Sequence, residues 1–129
     1  MVAGMRPVLE AGDVVFCTTR DDALVAAAAP AALALFREAE GVSLILPHAT
    51  AERLGFAVDL PMRRIVLSVA SALDGVGLTA AVAGALAREG IPCNVVAAFH
   101  HDHVFAPSAM AERALAALEA LQAAAQAES

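Results

Sequence analysis

The sequence contains no lysine, no tryptophan and no tyrosine, and it has only two cysteines and five phenylalanines among 129 residues. So few aromatic side chains argue against a surface on which nucleic-acid bases stack. The net charge is −6 and the chain has no run of basic residues, so it also lacks the positive patch of a nucleic-acid-binding protein. Cys17 and Cys93 are isolated in apolar runs, which favours buried thiols in a reducing cytoplasm over a disulfide framework.

The apolar content is high, at 60% with a mean hydropathy of +0.69. Much of it is alanine, and the larger apolar residues make up about a third of the chain, as in ordinary globular cores. Residues 65–87 are long enough to span a membrane, but Asp74 lies near the centre of the run and Gly75 and Gly77 follow it. We therefore expect a strand, a turn and a helix there, and no membrane segment. Residues 1–10 lack the apolar region of a signal peptide, so we expect a cytoplasmic protein.

Apolar periodicity and turn residues predict a small set of strands and helices. Residues 31–37 fit either a strand or a helix, because alanine and leucine favour both in this context. The last helix is expected to fray after Gln122. The predicted strands cover residues 12–19, 42–46, 64–69, 93–99 and 103–106, and the predicted helices cover 23–29, 47–54, 78–89 and the chain after Pro107.

One pattern occurs twice along the chain. A phenylalanine, a turn, an apolar strand, a proline and a helical Ala-Glu-Arg run over residues 36–53 and again over 99–113. The repeat predicts two units, 1–60 and 61–129, each ordered strand–helix–strand–strand–helix, with a degenerate first helix in the N-terminal unit. This order is most of a ferredoxin-like α+β fold. Units of about 60 residues are marginal alone, so we expect them to share a core, either side by side or with exchanged strands.

Four segments resemble the ACT domain, a small regulatory module that senses amino acids. They are residues 74–81 (DGVGLTAA), 90–96 (GIPCNVV) and 99–105 (FHHDHVF), with 36–47 (FREAEGVSLILP) in the first half. The resemblance covers residues 12–121 and is strongest to short tandem-ACT bacterial proteins, related to the ACT repeats of aspartate kinases and arginine sensors. It implies tandem βαββαβ units, a free amino acid bound at an interface between ACT units, a homodimer and no catalytic role.

The loop that precedes the predicted helix at Leu78 is the candidate ligand site. Free N–H groups at a helix start bind anions such as an α-carboxylate, and Gly75 and Gly77 let the backbone approach a ligand closely. Asp74 is placed to hold an ammonium group, and the amide of Asn94 both donates and accepts hydrogen bonds. The resemblance carries the binding role over to Asp74, Gly75, Val76, Gly77, Leu78 and Asn94, whereas the residues alone also fit a plain strand–helix turn.

The histidine-rich segment from His100 to His103 is the densest group of potential metal ligands. Imidazoles and a carboxylate suit Zn²⁺ or Ni²⁺, and alternation along a strand places His101 and His103 on one face. Adjacent side chains point apart, however, so we favour a structural or pocket-lining role and expect neither metal nor cofactor. Asp102 is a candidate contact for a cationic ligand side chain.

No catalytic arrangement is visible, since Ser68, Ser71 and Thr79 have no evident base to activate them. Together with this absence, the resemblance to the ACT domain implies a non-catalytic, amino-acid-binding regulatory protein that dimerises and acts on a separate regulated enzyme. Two alternatives stay open from the residues: a ligand-free oligomerisation or protein-interaction module, and a metal-binding protein that uses the His100–His103 segment.

Overall fold

The computed structural model describes residues 2–68 and 77–128, which contain seven strands and four α-helices. Short 3₁₀ turns at Val2–Gly4, Ala29–Ala31 and Ser108–Met110 accompany them. The strands are β1 (Pro7–Leu9), β2 (Val14–Thr19), β3 (Ala34–Glu38), β4 (Gly41–Pro47), β5 (Met62–Leu67), β6 (Asn94–Ala97) and β7 (Asp102–Pro107). The helices are α1 (Asp22–Ala28), α2 (His48–Arg53), α3 (Leu78–Arg88) and α4 (Ala111–Ala127).

The chain forms two compact units, and one of them combines residues from both ends of the sequence. Gly12–Met62 form the other, here called the central unit. The residues up to Ala11 belong with those from Arg63 onward, and together they form the terminal unit. The N-terminal segment is thus separated in sequence, but not in space, from the rest of its own unit.

In the central unit, β4 lies between β3 and β2 in an antiparallel sheet. The ambiguous run before Arg37 is strand β3, because Leu35 packs against the apolar cluster while Phe36, 55% exposed, faces away from it. Helix α1 has only seven residues, as the degenerate repeat predicted, and Asp21 caps it by accepting a 2.9 Å hydrogen bond from the N–H of Ala23. The buried cluster comprises Val15, Cys17, Ala28, Leu44, Leu46 and Ala51.

In the terminal unit, the strand order is β6-β7-β5-β1. Strand β1 pairs antiparallel with β5, with Val8 opposite Val66. The unit therefore has the ferredoxin-like arrangement that the repeat predicted, and its fourth strand comes from the N-terminal segment. Sequence patterning missed β1, because three residues are too few to show an alternation of apolar and polar positions.

Within the described residues, the buried apolar side chains form one cluster in each unit. The terminal unit builds its cluster from β5, β7, α3, α4 and the N-terminal segment, where Met5 is fully buried. The N-terminal segment adds buried apolar area, which is scarce in a unit of this size. The cluster comprises Met5, Ile65, Leu67, Leu78, Val82, Leu86, Ile91, Val104, Ala106, Ala114 and Leu118.

Helix α4 continues to Ala127 and does not fray after Gln122, contrary to the sequence expectation. The Nε2 groups of Gln122 and Gln126 each donate a 3.0 Å hydrogen bond to the carbonyl of Ala3. These bonds fix the last turns of α4 to the N-terminal segment. In the described ranges, no helix is both long and apolar enough to cross a membrane.

We expect Met5→Ala to destabilise the protein by about 2–5 kcal/mol, the usual cost of truncating a fully buried methionine. Urea denaturation followed by circular dichroism measures this change. Val8→Ala is the matched control in the same segment, because Val8 is 45% exposed and its truncation leaves no cavity. Equal stability of the two variants would contradict a structural role for the N-terminal segment in the terminal unit.

Candidate functional site

The predicted ligand loop is described only where it meets helix α3. Asp74, Gly75 and Val76 lie outside the described residues. Gly77 is exposed and has a φ of +101°, a left-handed conformation that glycine adopts without strain. The left-handed backbone conformation at this position therefore favours glycine over other residues.

Helix α3 begins at Leu78 without a side-chain cap, since Gly77 occupies the capping position. The N–H of Ala81 donates to the carbonyl of Gly77 at 2.9 Å, which closes the first helical turn. The N–H groups before Ala81 have no acceptor within the helix, and they carry the positive end of the helix dipole. The Leu78 side chain is only 5% exposed and belongs to the apolar cluster, so Leu78 offers a ligand its backbone N–H alone.

Asn94 and Asp102, both predicted to contact the ligand, lie on opposite faces of the sheet. Asn94 pairs with Phe105, and Asp102 pairs with Ala97. Successive side chains alternate between faces, so Asp102 shares the face of Val104 and Ala106, which belong to the apolar cluster. Asn94 is exposed on the other face and lies roughly 10 Å away along β6, at about 3.3 Å per residue. One small ligand on one face cannot contact both side chains.

Asp102 is the only charged residue buried in the described part of the chain, with 2% of its surface exposed. A buried carboxylate requires polar or charged partners to be stable. Its burial at the start of β7 distinguishes it from the exposed Asn94.

His100 and His101 lie in the turn between β6 and β7, and His103 lies within β7. The rings of Phe99 and His100 meet edge to face with centroids 5.0 Å apart, and those of His100 and His101 are 6.5 Å apart. Within residues 2–68 and 77–128, no three His, Cys, Asp or Glu side chains are grouped so that they could hold a metal ion. The described geometry therefore lends no support to the metal alternative.

The pKa of His103 is lowered from its ordinary value of 6.5, mainly because burial disfavours the charged imidazolium. The positive charges of Arg64 and His101 lower it further, against the opposing effect of Asp102 and Glu10. Burial also raises the pKa of the Cys17 and Cys93 thiols, so less of either is present as the nucleophilic thiolate at neutral pH.

Comparison with known proteins identifies the class of fold. Two family models, both described as ACT domain, match residues 1–63 and 60–120. A Vibrio cholerae protein of unknown function, described as a possible transport protein, is 38% identical, with 94% of this chain and 92% of that chain covered and a TM-score of 0.82. No curated protein matches significantly.

More distant structures have the same fold. A protein from Agrobacterium tumefaciens is 19% identical, with a TM-score of 0.72 over 90% of this chain and 87% of that one. The ligand-free regulatory subunit of Thermus thermophilus aspartate kinase is 15% identical, with a TM-score of 0.65 over 92% of this chain and 97% of that one.

The two matched segments and the observed fold together define the class of protein, which is a tandem of two regulatory modules with a ferredoxin-like fold. The chain belongs to the ACT domain family and contains two ACT domains in tandem. This confirms the family and the fold class predicted from the DGVGLTAA loop and the internal repeat.

We expect the stability of the protein to fall as the pH decreases below 6.5, in part because of His103. A histidine whose pKa is lowered in the folded state binds a proton more readily in the unfolded chain. Its contribution to the stability of the folded state is therefore full above pH 6.5, and it is lost as the pH falls toward the folded-state pKa. His103→Gln should therefore make the decrease in Tm between pH 7 and pH 5 shallower. His100→Gln, in the exposed turn, is the control, and an unchanged slope for His103→Gln would contradict the prediction.

Proposed function

We propose that the protein is a non-catalytic regulatory sensor in the cytoplasm that binds a free amino acid at an interface between ACT units. The uncapped start of α3 after Gly77 carries the proposal. Its first N–H groups have no acceptor within the helix, and both these donors and the helix dipole suit the α-carboxylate of an amino acid. The regulatory aspartate kinase subunits with the same fold support a regulatory role.

The remaining ligand contacts are assigned by chemistry. Asp74 would hold the ammonium group, and Gly75 and Val76 would line the loop. Asn94 is exposed and presents an amide to the face of the sheet on which it lies. Asp102 lies on the opposite face, which packs against α3 and α4. We propose that it contacts the cationic side chain of a ligand that approaches from that face. A homodimer of this chain would then change the activity of a regulated enzyme when the amino acid binds.

The second candidate, a ligand-free oligomerisation or interaction module, is favoured by the outer surface of the helices in the terminal unit. A groove runs between α3 and α4, with Glu89 and Arg113 at one end. The guanidinium of Arg113 donates a 3.0 Å hydrogen bond to the Glu89 carbonyl. The rest of the wall is mainly alanine, including Ala85, Ala117 and Ala120, and a partner helix can approach such small side chains closely.

We expect at least one of the twenty proteinogenic amino acids, each at millimolar concentration, to raise the Tm. A ligand present at 100 times its Kd stabilises the folded state by about 2.7 kcal/mol. Asn94→Ala should raise the Kd about 10- to 100-fold, because hydrogen bonds to charged ligand groups contribute about 1.5–3 kcal/mol each. Glu40→Ala, in an exposed turn of the central unit, is the control.

One result would decide against the sensor, and another would decide against the assignment of Asn94. If none of the twenty amino acids shifts the Tm, while light scattering shows a stable dimer, the oligomerisation module is the correct function. If an amino acid binds equally well to the wild type and to Asn94→Ala, the assignment of Asn94 is wrong.

A further inference from the structure

One side of helix α4 is exposed from its first turn to its last. The exposed positions on this side recur every three or four residues, which is the spacing of one helix face. They are Arg113, Ala116, Ala120, Ala124 and Ala127, here called the outer stripe. The buried residues Ala111, Ala114 and Leu118 point to the other side, toward the apolar cluster. The outer stripe is therefore a helix face that packing within the terminal unit leaves uncovered.

The start of the outer stripe borders a groove with a net positive charge. Arg88 and Glu89 from α3 line the groove between the two helices, together with Arg113 from α4. The Arg113 guanidinium donates a 3.0 Å hydrogen bond to the Glu89 carbonyl, which holds it in the groove. A guanidinium has five N–H donors, so this bond leaves donors for a further acceptor.

The other end of α4 has the opposite charge. Residues 114–128 include no basic side chain, and the exposed Glu128 lies at the C-cap of the helix. The C-terminus of a helix also carries the negative end of its dipole, which attracts cations. At 100° per residue, Glu128 lies within about 60° of Arg113 around the helix axis. The outer stripe thus runs from a positive end to a negative end on one side of the helix.

We propose that α4 of a second copy of this chain packs antiparallel on the outer stripe, which gives the homodimer of the proposed function its interface. A face with one positive and one negative end complements itself under a two-fold axis, because the axis brings each end against the opposite one. With the axis at Ala120, Arg113 of each copy lies beside Glu128 of the other, and alanine meets alanine between them. Helices with such small contact residues approach to about 8 Å between their axes, the lower end of the usual range.

The first test places a charge on the two-fold axis. Ala120→Glu brings two carboxylates together there, whereas Ala87→Glu adds the same charge at an exposed position of α3 outside the groove. Sedimentation velocity of the full chain, without added amino acid, measures the dimer Kd over micromolar to millimolar concentrations. We expect Ala120→Glu to raise this Kd at least about 10-fold, because like charges in contact across an interface repel. Ala87→Glu should leave the Kd at the wild-type value.

The second test exchanges the charges at the two ends of the outer stripe. Arg113→Glu alone and Glu128→Arg alone each set like charges against each other at both ends of the dimer. Each should raise the dimer Kd about 3- to 30-fold. The double variant should return the Kd close to the wild-type value, because its exchanged ends complement each other again. Circular dichroism of each variant measures folding separately from association.

A wild-type chain that is monomeric at millimolar concentration would overturn the proposal. So would a dimer that Ala120→Glu leaves intact, or a double variant that associates no better than Arg113→Glu alone. The amino-acid panel is a separate measurement. An α4 dimer whose Tm no amino acid changes would keep this interface and overturn the sensor, whereas a Tm shift in a chain without the α4 dimer would do the reverse.

Discussion

The antiparallel pairing of β1 with β5 is the contact on which the terminal unit depends. The described residues from Arg63 onward supply three strands and two helices, and the fourth strand comes from residues far away in sequence. Without β1, the backbone groups of residues 65–67 along one edge of β5 would lose their strand partner, and Met5 would leave the apolar cluster. The central unit, Gly12–Met62, is therefore inserted within a second unit whose two parts meet through this pairing.

The same pairing connects the fold to the proposed site. The N-terminal segment contacts α4 through Ala3 and β5 through the residues from Arg6 to Glu10. Leu78, at the start of α3, belongs to the cluster that Met5 helps to complete. The position of the helix start that is proposed to bind a carboxylate is therefore set by packing.

The parts of this structure that could be predicted from sequence are those with local signals. The internal repeat predicted two ferredoxin-like units, and Leu78 was predicted as the first residue of α3 because Gly77 precedes it. Strand β1 could not be predicted, since a three-residue strand has no periodicity and its partner is about 60 positions away. The opposite faces of Asn94 and Asp102 also escaped prediction, because the phase of each strand depends on its register, which only the pairing of β6 with β7 defines.

A crystal structure of the protein grown with an amino acid that raises its Tm tests the central claim most directly. The account predicts that the α-carboxylate lies within hydrogen-bond distance of the N–H groups at the start of α3, next to Gly77 and Leu78. It also predicts that the ammonium group lies at Asp74. An amino acid bound away from the first turn of α3, or an empty helix start at saturating concentration, would contradict the account.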